Sequence, residues 1–129
     1  MTKDIAKMKS SFVDKLASLR RKEKIDLSAY GIDEDIYVCE MSAADQYAIS
    51  SIARNDDARD DERTLAMYSV VLCGGLIDAK GKPVVDKEGA AEICTACSDE
   101  VVSDIVGRII AFSKTGRETV LAQDETEKN

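Results

Sequence analysis

The sequence has no histidine and no tryptophan, and it has a single proline. The absence of histidine excludes the commonest general acid–base side chain and every zinc site that combines cysteine with histidine. The longest run without a charged residue covers 14 residues, 64–77, which is too short to span a bilayer. The first 25 residues carry charges throughout and contain no apolar signal-peptide stretch. We therefore expect a cytoplasmic chain that makes no membrane contact.

The 129 residues are enough for one domain with one hydrophobic core. Charged residues make up 33% and hydrophobic residues 44% of the chain, which is a globular composition. The 25 acidic residues outnumber the 18 basic ones, so the net charge is −7. An acidic chain lacks the basic surface that binds nucleic acid, so we expect no nucleic-acid partner. The four cysteines are expected to be reduced thiols in the cytoplasm.

Helical periodicity dominates the chain. Apolar residues recur every three or four positions in the first 19 residues, which predicts an amphipathic helix. Ser42, Asp86 and Ser98 are residue types that begin helices, because their side chains accept free backbone N–H groups. A further helix is expected from about Arg59 to Cys73. It is the most apolar segment of the chain, so we expect it at the centre of the core. We predict four to five helices.

A short stretch favours extended structure instead. From Ile25 to Met41 the apolar residues alternate with charged ones or are β-branched, which predicts a small β-hairpin. The fold class is therefore mainly α (α+β), a helical domain with a small hairpin. Gly116 is expected to end the last helix. Residues 1–116 form the predicted globular domain, and 117–129 form a flexible acidic tail with too little apolar surface to order itself.

The last helix carries an apolar stripe wider than one buried face requires. Such a stripe is buried on two sides or is partly a surface for a partner. We predict partner binding or self-association, hence a homo-oligomer, through five of its residues: Val102, Ile105, Ile109, Ile110 and Phe112.

The chemical motifs are few. Cys94 and Cys97 form a CxxC pair, but they close a helix rather than open one, and Cys39 and Cys73 each stand alone in apolar segments. The loop from Asp78 to Gly89 has lysines where a calcium site needs carboxylates. No nucleophile–base pair, metal constellation or cofactor cradle is found. We therefore expect no catalytic residue, no metal and no cofactor, and a binding protein rather than an enzyme.

Three stretches resemble the tail assembly chaperones of long-tailed, lambda-like phages (siphophages). Ile36–Asp45 is similar to that family's strand running directly into a capped helix, and Leu65–Lys82 resembles its apolar helix followed by an Asp-x-x-Gly-Lys-Pro turn. Val84–Phe112 matches its final strand and two helices. The resemblance covers roughly residues 25–115. Val85 stands where the family usually has an aromatic residue, and the CxxC pair is not a family feature.

The resemblance implies a non-enzymatic role in tail morphogenesis. Such chaperones bind the long, apolar tape measure protein in the host cell cytoplasm and keep it soluble. They help to recruit tail tube subunits, in many cases through a longer form made by translational frameshifting, and they are absent from the mature virion. The family has no short partner-binding motif whose residues could be carried over to this chain.

The sequence also allows two other functions. The first is a small cytoplasmic redox or metal-binding protein that uses Cys94 and Cys97. The second is an acidic regulatory binding protein that blocks a nucleic-acid site, although the acidic residues are spread from Asp4 to Glu127 rather than concentrated in one segment.

Overall fold

The computed structural model describes the backbone of residues 2–128 and the side chains of residues 4–114. These residues form five α-helices and three short β-strands, which confirms the predicted mainly α fold with a small hairpin. In chain order, with one 3₁₀ turn at Ser28–Tyr30, the elements are α1 (Thr2–Ala17), β1 (Lys22–Lys24), β2 (Ile36–Cys39), α2 (Ala43–Ala53), α3 (Asp60–Gly75), β3 (Leu76–Asp78), α4 (Lys87–Ala96) and α5 (Asp99–Lys128).

The sheet is antiparallel with the strand order β1-β2-β3. The hairpin was predicted over Ile25–Met41. Its second strand, β2, lies within that range, but its first strand, β1, ends at Lys24, before the range begins. Ile25 follows β1, is buried, and donates its backbone N–H to the Ile36 carbonyl. The third strand was not predicted. The apolar run of α3 continues through Leu76 and Ile77, and the change to extended structure is marked by pairing with β2, which begins at Leu76 and Val38.

The core lies between the sheet and helices α3, α4 and α5. Its largest fully buried side chains are Val71, Leu72 and Ile109. Two of these belong to α3, so the prediction that this helix is central is confirmed. Gly75 allows α5 to approach α3 closely, because a Cβ atom at this position would collide with the Ile109 side chain.

The predicted helix starts are present. The Ser42 hydroxyl accepts the Asp45 N–H at 3.1 Å, and the Asp86 carboxylate accepts the Gly89 N–H at 2.7 Å. The Asp78 carboxylate accepts the N–H groups of Lys80 and Lys82 and so closes the turn after β3. The Asp78 carboxylate therefore satisfies backbone donors within its own turn.

The amino-terminal segment forms the predicted helix, α1, whereas the last helix does not end where it was predicted to end. α1 extends from the body, and every described side chain in it is exposed. At the other end, the backbone of α5 stays helical through Gly116, where the sequence predicted a stop. A glycine inside a helix costs only about 1 kcal/mol relative to alanine, so it does not by itself end one. The flexible tail predicted for 117–129 lies outside the residues whose side chains are described, and it stays a prediction.

Candidate interaction surfaces

Most residues of the predicted stripe on α5 pack in or against the core. Val102 and Ile109 are 2% and 0% exposed, so these two residues are structural in the folded chain rather than part of an open surface. Ile105 and Phe112 are partly buried against the same core. The stripe is wide because α5 packs against α3, α4 and β2 at once.

Ile110 lies at the exposed edge of that stripe, at 36% exposure. It lines a cavity of about 220 Å³ between α2 and α5, together with Met41 and Ile49. The floor is polar at one point, where the buried Ser113 hydroxyl accepts the Met41 N–H at 3.1 Å. Of the predicted site residues, Ile110 is therefore the one placed to meet a partner. Its role in partner binding or self-association remains a prediction.

A second apolar surface lies on α1 and was missed at the sequence level. Ile5, Met8, Phe12 and Leu16 share one face of this helix and are 53% to 71% exposed. The amphipathic pattern was recognised, but it is the same pattern that a helix packed on its own core would show. The periodicity indicates that a helix has an apolar face, but it does not indicate which surface covers that face.

A third surface is the groove formed by α4 and the segment before it. Val84, Val85 and Ile93 give it an apolar lining, and Asp86 and Glu92 add two acidic side chains. Its volume is about 510 Å³, and no lysine or arginine is among the described residues that line it. Val84 is 45% exposed, so the lining is open to solvent.

The thiols have the chemistry of structural cysteines. Burial raises the pKa of the Cys73 thiol and of the Cys94 thiol, whereas a redox or metal-binding cysteine needs a lowered pKa to form its thiolate. Within residues 4–114, no three Cys, Asp or Glu side chains are grouped to hold a metal ion. These observations weaken the redox and metal-binding alternative built on Cys94 and Cys97.

The acidic residues of the first turn of α3 have basic partners. Arg63 pairs with Asp60 and also donates to the backbone carbonyls of Asn55 and Ala58. Arg59 pairs with Glu62 at 2.7 Å. Because these arginines offset the local negative charge, this segment is not the concentrated acidic face that an inhibitor of a nucleic-acid site requires.

No family model matches the chain, and no curated protein matches it. Its fold is similar to a solved structure, that of the tail assembly chaperone of bacteriophage HK97. The two structures superpose with a TM-score of 0.57 at 13% sequence identity, and the match covers 71% of this chain and 84% of the HK97 chain. At this identity the likeness is one of fold. No helix within the described residues is both long enough and apolar enough to cross a membrane.

Proposed function

We propose that this protein is a non-enzymatic phage tail assembly chaperone. The observation that carries the proposal is the fold shared with the HK97 tail assembly chaperone over 71% of the chain. The sequence stretches that suggested the same role fall within the elements from β2 to α5. In this role the protein acts in the host cell cytoplasm and is absent from the mature virion.

The proposed partner is the tape measure protein of the same phage, a very long and largely apolar chain. A protein that keeps such a chain soluble needs an apolar contact surface and a charged exterior. Ile110 and its cavity supply an apolar contact surface on the folded body, and the net charge of −7 supplies the exterior. Self-association is part of the proposal, because several copies along one long partner gain avidity.

The test is co-expression with the tape measure protein encoded in the same genome. We expect the tape measure protein to move from the insoluble to the soluble fraction and to co-purify with the chaperone. Ile110→Lys is expected to reduce co-purification at least tenfold, because it places a charge in the apolar contact. Leu65→Lys is the matched control, since Leu65 is 49% exposed on α3 and does not line this cavity.

A tape measure protein that stays insoluble with the wild-type chain would count against the whole proposal. Equal loss with both variants would leave Ile110 without a specific role. Recruitment of tail tube subunits is proposed for a longer, frameshifted form. Mass spectrometry of infected cells should detect peptides from that form, and tube protein should co-purify with it but not with the 129-residue chain.

A further inference from the structure

The apolar face of α1 is uncovered within the described chain. It consists of four side chains that are more than half exposed, those of Ile5, Met8, Phe12 and Leu16. α1 makes no extensive contact with another described element. A helix of 16 residues is marginal alone in water, and most of its stability comes from packing of its apolar face. We therefore expect another surface to cover this face.

Lysines border the apolar face. At about 100° per residue, Lys9 and Lys15 lie on either side of it, and Asp14 lies on the opposite side of the helix. Neither lysine has an ion-pair partner among the residues whose side chains are described. α1 as a whole contains four lysines and two aspartates, a net charge of +2. The surface that covers the face is therefore expected to be negatively charged.

The charge of α1 itself decides this contact, although the whole chain carries −7. Charges in water are screened over about 8 Å at physiological ionic strength. α1 is about 24 Å long, and its first two turns lie more than that screening length from Ala17, where the helix ends. All its described side chains are exposed, so the acidic body does not surround them. A surface that contacts the apolar face meets a positive helix.

We propose that α1 lies on the surface of a bilayer that contains anionic phospholipids, with its apolar face buried between headgroups and acyl chains. Phe12 and Leu16 then leave water, whereas the charged ends of Lys9 and Lys15 stay at the level of the phosphates. Each lysine near an anionic surface adds attraction, and contact with lipid stabilises a helix that is marginal alone. The folded body stays outside the bilayer.

A bilayer matches α1 better than a groove on an acidic protein does. Helices that lie in the lipid interface combine an apolar face with lysine-rich polar sides and low overall hydrophobicity, and α1 has this arrangement. The aliphatic stems of the bordering lysines extend the apolar surface on both sides. A protein groove needs carboxylates at two fixed places to pair with Lys9 and Lys15, whereas mobile anionic headgroups adjust to both.

The proposal departs from the expectation of no membrane contact. That expectation rested on the lack of a spanning run and of a signal-peptide stretch. A helix on the surface needs neither, because only one of its faces enters the lipid. The proposal also goes beyond tail assembly. Its test needs only the purified chain and lipid vesicles, so its failure leaves the proposed chaperone role unaffected.

The first measurement is flotation of the full chain with vesicles of equal parts phosphatidylcholine and phosphatidylglycerol. We expect the chain to float with them and to bind vesicles of phosphatidylcholine alone at least tenfold more weakly, because the lysines lose their attraction. Salt at about 1 M should release most of the bound chain, since it shortens the screening length to about 3 Å. Equal binding to both vesicles overturns the proposal. No binding to the anionic vesicles also overturns it, and the partner of α1 is then a protein.

A pair of aromatic substitutions tests the apolar face. Phe12→Gln should weaken binding to the anionic vesicles at least tenfold, because the phenyl ring no longer leaves water. Tyr47→Gln is the matched control, since Tyr47 is an exposed aromatic residue on α2 and should not touch lipid. Both side chains are exposed, and a melting curve of each variant checks that the body folds. Equal binding by the two variants contradicts a contact through α1.

The absence of tryptophan allows a direct measure of depth. Phe12→Trp places a single indole on the apolar face, and Ser10→Trp places one on the opposite side of the helix. On addition of the anionic vesicles, the fluorescence of Phe12→Trp should shift to shorter wavelength, whereas that of Ser10→Trp should stay close to its position in buffer. Equal shifts, or no shift in Phe12→Trp, contradict the proposed orientation.

The bordering lysines are tested at constant change of charge. Lys9→Glu should weaken binding to the anionic vesicles at least tenfold, because it replaces attraction by repulsion at the lipid surface. Lys7→Glu makes the same change on the opposite side of the helix, about 10 Å further from the lipid, and should have a smaller effect. Equal losses of binding would mean that α1 does not lie on the bilayer through its apolar face.

Discussion

The Arg21 guanidinium lies 4.5 Å from the centre of the Phe112 ring and donates to the Phe112 carbonyl at 2.6 Å. The same side chain pairs with the Glu40 carboxylate at 3.2 Å. Arg21 thus joins the segment after α1 to the end of β2 and to α5. The neighbouring Arg20 reinforces the junction by donating to the Glu40 carbonyl. Together these contacts fix the point from which α1 leaves the body.

We expect Arg21→Ala to lower the free energy of unfolding by about 1–2 kcal/mol, through loss of the ring contact and of charge-assisted hydrogen bonds. Arg21→Lys should recover only part of this loss, because an ammonium group cannot stack and donate in the same plane. Urea denaturation measures both values. Lys22→Ala is the control and should change stability by less than about 0.5 kcal/mol. An Arg21→Ala variant as stable as that control would show that the contacts of Arg21 with Glu40 and Phe112 do not stabilise the domain.

Substitution by alanine is expected to change stability in opposite directions at Gly75 and at Gly107. Gly75→Ala should destabilise the domain by about 1–3 kcal/mol, because its Cβ would overlap the fully buried Ile109 side chain. Gly107→Ala should stabilise it by up to about 1 kcal/mol, because nothing lies within 4 Å of its Cβ position and alanine is the better helix former. Thermal unfolding of both variants tests the close approach of α3 and α5. Similar melting temperatures would be inconsistent with it.

Tyr30 and Asp104 form a hydrogen bond whose effect depends on pH. The phenol donates to the carboxylate at 2.5 Å, which lowers the pKa of Asp104 and raises the pKa of Tyr30. Because the folded pKa of Asp104 is lowered, its contribution to stability is present above about pH 3.9, the unfolded value. That contribution is lost as the pH falls through the lower folded pKa. Tyr30 contributes below about pH 10 and loses its contribution as the pH rises further.

Tyr30→Phe should therefore raise the pKa of Asp104 toward its ordinary value, with Arg108 still lowering it in part. Carbon-detected NMR titration of the aspartate carboxyl groups measures the shift. The Asp35 carboxyl pairs with Lys24 and should keep its lowered pKa in the variant. An unchanged pKa for Asp104 would show that Arg108 alone accounts for its shift.

The elements that sequence analysis predicted well are those whose signals are local. Ser42 and Asp86 begin helices because a side-chain oxygen accepts a nearby N–H group, and the sequence shows this directly. β3 was missed because its strand conformation depends on pairing with β2, about 40 residues earlier. The stripe on α5 was recognised, but its division between the core and Ile110 depends on packing with α3 and β2. The exposed face of α1 was not predictable for the same reason.

The cysteines should react in the order of their exposure. Cys97 is exposed and should be alkylated first by iodoacetamide, whereas Cys39 is 2% exposed and should react only when the domain opens. Cys73 and Cys94 should be slow, because burial raises the pKa of each thiol and leaves little thiolate at neutral pH. Timed alkylation with mass spectrometry gives the order. Cys94 reacting as fast as Cys97 would contradict it.

The body of the domain should not require the carboxyl-terminal segment. On α5, the Phe112 ring meets Arg21 and the Ser113 hydroxyl accepts the Met41 N–H, so both residues belong to the folded domain. A chain that ends at Gly116 should melt within about 2 °C of the full chain, since residues 117–129, with four acidic and two basic residues, are too polar in composition to add much to a core. Ser113→Ala is the comparison, because Ser113 lies before Gly116 and is buried. It leaves the buried Met41 N–H without an acceptor and should cost about 1–3 kcal/mol. A chain ending at Gly116 that melts many degrees lower would mean that residues 117–129 belong to the folded domain, and the predicted boundary would then be wrong.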